Sequence, residues 1–215
     1  MKLNITRPFI AYLGNRLDLT TDQEEIALFG LQTFLYPIVN VSLVCLSAWL
    51  LGCLWGTVAA VMVVMVLRLF SHGAHSSAPL TCVLTSVVIF PALGKMAAVA
   101  APHLTVQGLL LIIAAGFVPC SMLFWRLAPV DSPAKPISSG VERQRLRLYT
   151  LITACCILAL QIFILITFKS LAAALALSLG VWWQAVSLTR SGHRLAALLD
   201  NILQKGGATS ETLAP

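Results

Sequence analysis

Charge is what this sequence has least of. Its 215 residues are 59% hydrophobic and 10% charged, with only 8 Asp and Glu. A soluble domain carries about 25% charged residues, so this chain cannot clothe a surface in water. A free-standing soluble fold is excluded, and bilayer must be part of the solvent. Strict polar–apolar alternation is also missing. The apolar runs are continuous, which argues against a β-barrel and for an all-α, polytopic helical membrane protein. No Gly-rich nucleotide loop is present, and no cofactor is expected. The first 25 residues lack the apolar core and small-residue cleavage site of a signal peptide. A disulfide framework is lacking too: Cys45, Cys53, Cys120, Cys155 and Cys156 lie within or at the ends of apolar runs, and only Cys82 borders a polar stretch.

The apolar runs predict six spans. No residue from Ile26 to Leu67 is charged, enough for two spans of about 20 residues. The break between them falls at Leu51-Gly52-Cys53-Leu54-Trp55-Gly56, where Gly52 and Gly56 read as turn chemistry rather than a dimer face. A short third span covers Ala78–Leu93, and full crossing or re-entry are both open for it. The fourth covers Thr105–Trp125, the fifth Leu148–Phe168 and the sixth Leu171–Leu188. Residues 1–25 precede the 26–189 membrane domain. Ile5, Phe9, Leu13 and Leu17 recur there at helical spacing beside Lys2, Arg7 and Arg16, which predicts an interfacial amphipathic helix. Thr21 and Glu24 form a capping-box pattern for the next helix. Polar loops are expected at 68–77 and 126–147. A polar tail, 190–215, ends in GGATSETLAP, which reads as disordered.

With a cytoplasmic N-terminus, Lys95 and Lys169 are the only ones of the 14 Lys and Arg left on the outside. The positive-inside rule therefore places both termini and both polar loops in the cytoplasm. It also accounts for the net charge of +6 without a nucleic-acid partner.

The stretch RLFSHGAHSSAPLTC, residues 68–82, carries the candidate chemistry. Ser77 and Pro79 suit a helix start, which puts Cys82 just past a first turn, where the helix dipole favours negative charge. His75 precedes Cys82 by seven residues. On one unbroken helix that is about 10.5 Å of rise, too far for a hydrogen bond. The break signalled by Gly73, Ser76, Ser77 and Pro79 lets His75 fold back as a general base. Ser86 shares a helix face with Cys82 and suits an orienting or oxyanion role. Arg68 suits an oxyanion, a peptide carboxylate or a helix-end anchor. Other readings stay open: His72, His75 and Cys82 as metal ligands, a transporter or channel mouth, or packing alone.

Arg68, Ser71-His72-Gly73-Ala74-His75, Cys82 and Ser86 together resemble the motif of the AgrB family, membrane cysteine endopeptidases of bacterial quorum sensing. Ala128-Pro129-Val130-Asp131 and Lys135-Pro136-Ile137 resemble that family's second cytoplasmic loop. One departure is His72, which stands where the family has the first glycine of a pair. The resemblance implies Cys82 as nucleophile and His75 as base, supported by Arg68, His72, Gly73 and Ser86. It implies Arg126, Asp131, Lys135 and Pro136 as substrate-binding residues. It further implies an AgrD-type precursor peptide as partner, a thioester acyl-enzyme, closure to a thiolactone and a location in the bacterial plasma membrane. A homo-oligomer is left open.

Overall fold

Capping at residue 20 decides where the first long helix begins. In the computed structural model, Thr20 is extended (φ −71°, ψ 158°). Its Oγ1 accepts from Gln23 N at 3.4 Å, and Gln23 Oε1 accepts from Thr20 N at 2.9 Å. The capping box is thus Thr20–Gln23, one residue before the Thr21–Glu24 pair expected from the sequence. Thr20 wins because its extended backbone aims its hydroxyl at the orphan N–H groups of the first turn.

The structure describes residues 6–17, 20–73, 79–131 and 139–211, with 15, 79, 80 and 202–211 as backbone alone. These form α1 (Thr6–Leu17), α2 (Thr21–Leu50), α3 (Leu54–Ser71), α4 (Pro79–Ala100), α5 (Val106–Leu127), α6 (Gly140–Thr167), α7 (Leu171–Ser187) and α8 (Arg190–Glu211), with a 3₁₀ turn at Ala101–His103. No strand occurs among the described residues. Helices α2 to α6 are each long and apolar enough to cross a membrane. The pair α7 and α8 makes up to a sixth, with an 83° bend between them. The chain is a multi-pass membrane protein.

α1 packs on α2 through Ile10, which is buried, and a Gln32–Thr6 side-chain hydrogen bond of 3.2 Å. Phe9 and Leu17, from the amphipathic stripe, stay exposed. The turn between α2 and α3 uses Gly52 at φ +65°, which a side chain would resist.

α7 is the central helix. It packs on α3, α4, α5, α6 and α8. It carries no charge, and its buried Ala174, Ala176, Ser178 and Gly180 let neighbours come close. A Cβ on Gly180 would sit 3.0 Å from Ala60 O and 3.2 Å from Ala60 Cα. One apolar cluster joins Val63, Leu67, Phe124, Ala154, Leu177 and Val181. A second joins Ala97, Leu109, Ile113, Leu165 and Ala174. In lipid, where apolar surface gains nothing by meeting apolar surface, such close packing is what holds helices together.

The helices reach further into the polar stretches than the sequence suggests. Arg68 lies in the last turn of α3 and Arg126 in the last turn of α5. α6 begins at Gly140, so Arg143, Arg145 and Arg147 are helical. Charged residues are good helix formers once past the hydrocarbon. α4 is longer than the short third span expected, and includes Lys95, whose Nζ reaches Leu51 O at 3.1 Å. Its 22 residues match the ~20 needed to cross. The polar tail is helix α8 to Glu211, which takes in the first six residues of the GGATSETLAP read as disordered; the last four lie outside the described residues. Its apolar Leu195, Ala196 and Leu199 recur at helical spacing, a period hidden by the charged residues around them.

Gly56 is a packing residue rather than part of the turn. A Cβ there would lie 3.1 Å from Gly94 O, and one on Gly94 would lie 2.6 Å from Thr57 N. Gly94→Leu is therefore expected to destabilise the protein by about 1–3 kcal/mol. Gly30, whose Cβ would meet nothing within 4 Å, is the control: Gly30→Ala should leave stability unchanged or raise it by up to ~1 kcal/mol. Thermal unfolding of both variants in detergent checks this.

Candidate functional site at the polar end of the bundle

The described parts of both polar stretches meet at one end of the bundle. The link is direct: Val130 N donates to Ser71 O at 3.1 Å. Beneath it, Gln184 of α7 is fully buried. Its Nε2 donates to Ser71 Oγ at 2.9 Å and His72 O at 2.7 Å. The bond to His72 O, with that of Val130 N to Ser71 O, answers orphan carbonyls at the C-terminal end of α3. A Cβ on Gly73 (φ +137°) would sit 2.9 Å from Ser187 Oγ and 3.3 Å from Gln184 Nε2. Glycine thus serves both the backbone angle and the close approach.

His72 adopts φ 55°, ψ −136°, a region that glycine favours and a β-carbon resists. This is the position where the resembled motif has glycine. The histidine thus holds angles that a glycine would adopt without strain. Among the described residues, His72 Nδ1 and Gln184 Oε1 are buried without a hydrogen-bond partner.

Cys82 faces a cavity of about 80 Å³ together with Arg68, Thr81, Ser86, Trp183 and Ser187. The Arg68 guanidinium is close enough to interact electrostatically with the Cys82 sulfur. The Ser86 hydroxyl donates to Cys82 O at 2.8 Å and accepts from Asn40 Nδ2 at 3.4 Å. Its proton is therefore held by the backbone one turn earlier, and the hydroxyl braces the helix turn bearing the thiol. Cys82 also differs from its fellow cysteines, all of which are free thiols. Cys53 donates to Pro91 O within the helix packing. Cys120 sits in the apolar core, and Cys155 and Cys156 are exposed on α6.

The structure thus gathers Cys82, Arg68 and Ser86, with Gly73 against Ser187 at the cavity's edge. Arg126 and Asp131 do not line this cavity. Asp131 is ion-paired with Arg143 at the surface. Arg147 Nε donates to Ala128 O at 3.0 Å, and its guanidinium stacks 5.7 Å from the Trp125 ring. Two of the three clustered arginines therefore brace the loop after α5 against α6. His75, Lys135 and Pro136 lie outside the described residues, and with His75 the metal set His72, His75 and Cys82. Gln184, Trp183 and Ser187 escaped the sequence reading. A glutamine inside an otherwise apolar span was the signal, since a polar residue there needs a partner.

An all-helical membrane bundle with a half-buried thiol beside an arginine defines the class. The chain matches the AgrB family, accessory gene regulator B, over residues 6–188, and it belongs to that family. It is 23% identical to an AgrB-like protein of Clostridium perfringens strain SM101, over 94% of this chain and 98% of the relative. It is 26% identical to an AgrB-like protein of Halalkalibacterium halodurans, over 89% of this chain and 88% of the relative. No solved structure matches the chain.

Two stability outcomes follow from the geometry. Gln184→Leu removes the donor that Ser71 Oγ and His72 O share, and should cost about 1–3 kcal/mol. His72→Gly relieves the backbone and should gain about 1 kcal/mol. Thermal unfolding of the purified variants in detergent reads both.

Proposed function

We propose that this protein is a membrane cysteine endopeptidase that removes the C-terminal tail of an AgrD-type precursor peptide. The observation that carries this reading is the Cys82 thiol in a cavity shared with Arg68. Family membership supports the AgrD-type substrate.

In this reading His75 takes the Cys82 thiol proton, and the thiolate attacks a peptide carbonyl. Negative charge develops on the carbonyl oxygen, and Arg68 offsets it in a poorly solvated cavity, where such a charge counts most. The carbon–nitrogen bond breaks, and His75 returns its proton to the leaving amine of the tail. An acyl thioester remains on Cys82. A thiol of the peptide then attacks that thioester, Cys82 leaves, and the peptide closes as a thiolactone. One thioester replaces another, so ring closure needs no nucleotide.

The site works at the cytoplasmic face, with both termini on that side, because the basic residues gather at that end. Arg126, Asp131, Lys135 and Pro136 belong to the binding surface for the precursor. There Asp131 acts through its ion pair with Arg143, holding the loop in place. The N-terminal helix α1 rests at the membrane interface, with Phe9 and Leu17 toward lipid.

Mass spectrometry of a co-expressed precursor tests this. Wild type should release the tail and give a product lighter than the linear fragment by one water. Cys82→Ala should release none, and His75→Ala should process at least ~100-fold more slowly. His72→Gly should retain processing, since the resembled motif has glycine there. Undiminished trimming by Cys82→Ala would sink the thiol mechanism.

A further inference from the structure

The cavity beside Cys82 has two chemically different walls. One carries Arg68, Cys82 and Ser86. The other is apolar, built from Trp183 of α7 and Leu195 and Leu199 of α8. α8 reaches it because the chain bends by 83° after α7. Gly192 permits the crossing: a Cβ there would lie 2.5 Å from Val186 O and 2.8 Å from Ser187 Cα. Gly192, Leu195, Ala196 and Leu199 then follow at i, i+3, i+4 and i+7, so one face of α8 looks into the cavity. Leu198, off that face, is 58% exposed.

The volume restricts what enters. About 80 Å³ is about half of the roughly 150 Å³ apolar cavity that takes up a benzene ring. An aliphatic side chain of three or four carbons fits, and an aromatic ring does not. A charged side chain would lose its water against Trp183, Leu195 and Leu199, and in the proposed mechanism Arg68 is engaged by the developing oxyanion.

We propose that this cavity is a side-chain subsite. It takes a branched aliphatic side chain from the peptide residue whose carbonyl Cys82 attacks. Leu195 and Leu199 of α8 set its size. The proposal rests on Cys82 as the nucleophile. Cys82, Arg68 and Ser86 stand on α3 and α4, while Leu195 and Leu199 stand on α8, past residue 188, where the AgrB family match ends. Side-chain preference is thereby separable from the chemistry.

The test uses the purified full-length chain in detergent and N-acyl amino-acid chloromethyl ketones bearing Ala, Val, Leu, Phe or Asp side chains. Intact-mass spectrometry follows the alkylation rate, and Cys82→Ala identifies the reactive thiol. Wild type should react with the Val and Leu reagents at least ~10-fold faster than with Phe or Asp, the size discrimination expected of an apolar pocket. Leu195→Ala and Leu199→Ala should raise the Phe rate relative to Leu by a similar factor. Leu199→Phe should invert the order in favour of Ala. Thermal unfolding in detergent unchanged from wild type shows that a gain in the Phe rate reports the pocket and not misfolding. If Cys82 reacts but the Leu-to-Phe ratio is near one, or is unmoved by the α8 variants, the subsite is wrong and the nucleophile stands. If Cys82 reacts no faster than the exposed Cys155 and Cys156, the nucleophile reading falls and takes the subsite with it.

Discussion

A buried amide holds the polar end of this bundle together. Gln184 lies on the central helix, fully out of contact with solvent, and donates to Ser71 Oγ and His72 O. A glutamine left unpaired in such surroundings would cost several kcal/mol, on the order of the penalty for any unsatisfied amide in an apolar medium. The end of α3 is therefore tied to α7 rather than free to fray. Arg68 sits one turn before Ser71, so the same tie fixes the guanidinium near Cys82. Ser71 in turn accepts from Val130, which brings the second loop to the same place.

Close backbone approach makes this arrangement possible. Gly180 on Ala60 and Gly94 on Thr57 bring α7 and α4 against α3. Without water to expel between helices, small residues and paired polar groups carry association in a bilayer. The polar groups here are concentrated where they also shape a site. Asn40, Ser86 and the Cys82 carbonyl form a short chain of hydrogen bonds from α2 into α4. The loop after α5 is braced by Arg143 and Arg147 of α6. A surface ion pair such as Asp131–Arg143 adds only about 0–1 kcal/mol, so its value lies in positioning.

The site also shows how a strained backbone is held. His72 occupies backbone angles that suit glycine. The surrounding contacts, Gln184 on its carbonyl and Gly73 against Ser187, over-determine the path of the chain. Strain of this kind persists only where neighbours impose it. A histidine at angles that suit glycine is held there from outside, by α7.

The helical membrane class was legible from composition and continuous apolar runs, because burial in lipid demands both. The positions of Cys82, Arg68 and Ser86 were legible as a local motif, since their spacing is set along one loop and two helix ends. Partners across the bundle were not. Gln184 and Ser71 are far apart in the chain, and nothing local in either residue names the other. The role of Gly56 changed from turn to helix contact for the same reason, since its neighbour Gly94 belongs to another helix. The second wall of the cavity depended on the bend after α7, which turns an apparently polar tail across the thiol's cavity. By itself the sequence determined the apolar helical spans and where the motif's side chains lie along the chain, because continuous apolar runs and helix-end chemistry are local. Tertiary structure alone decided which groups surround Cys82, because that depends on how closely small residues let distant helices approach.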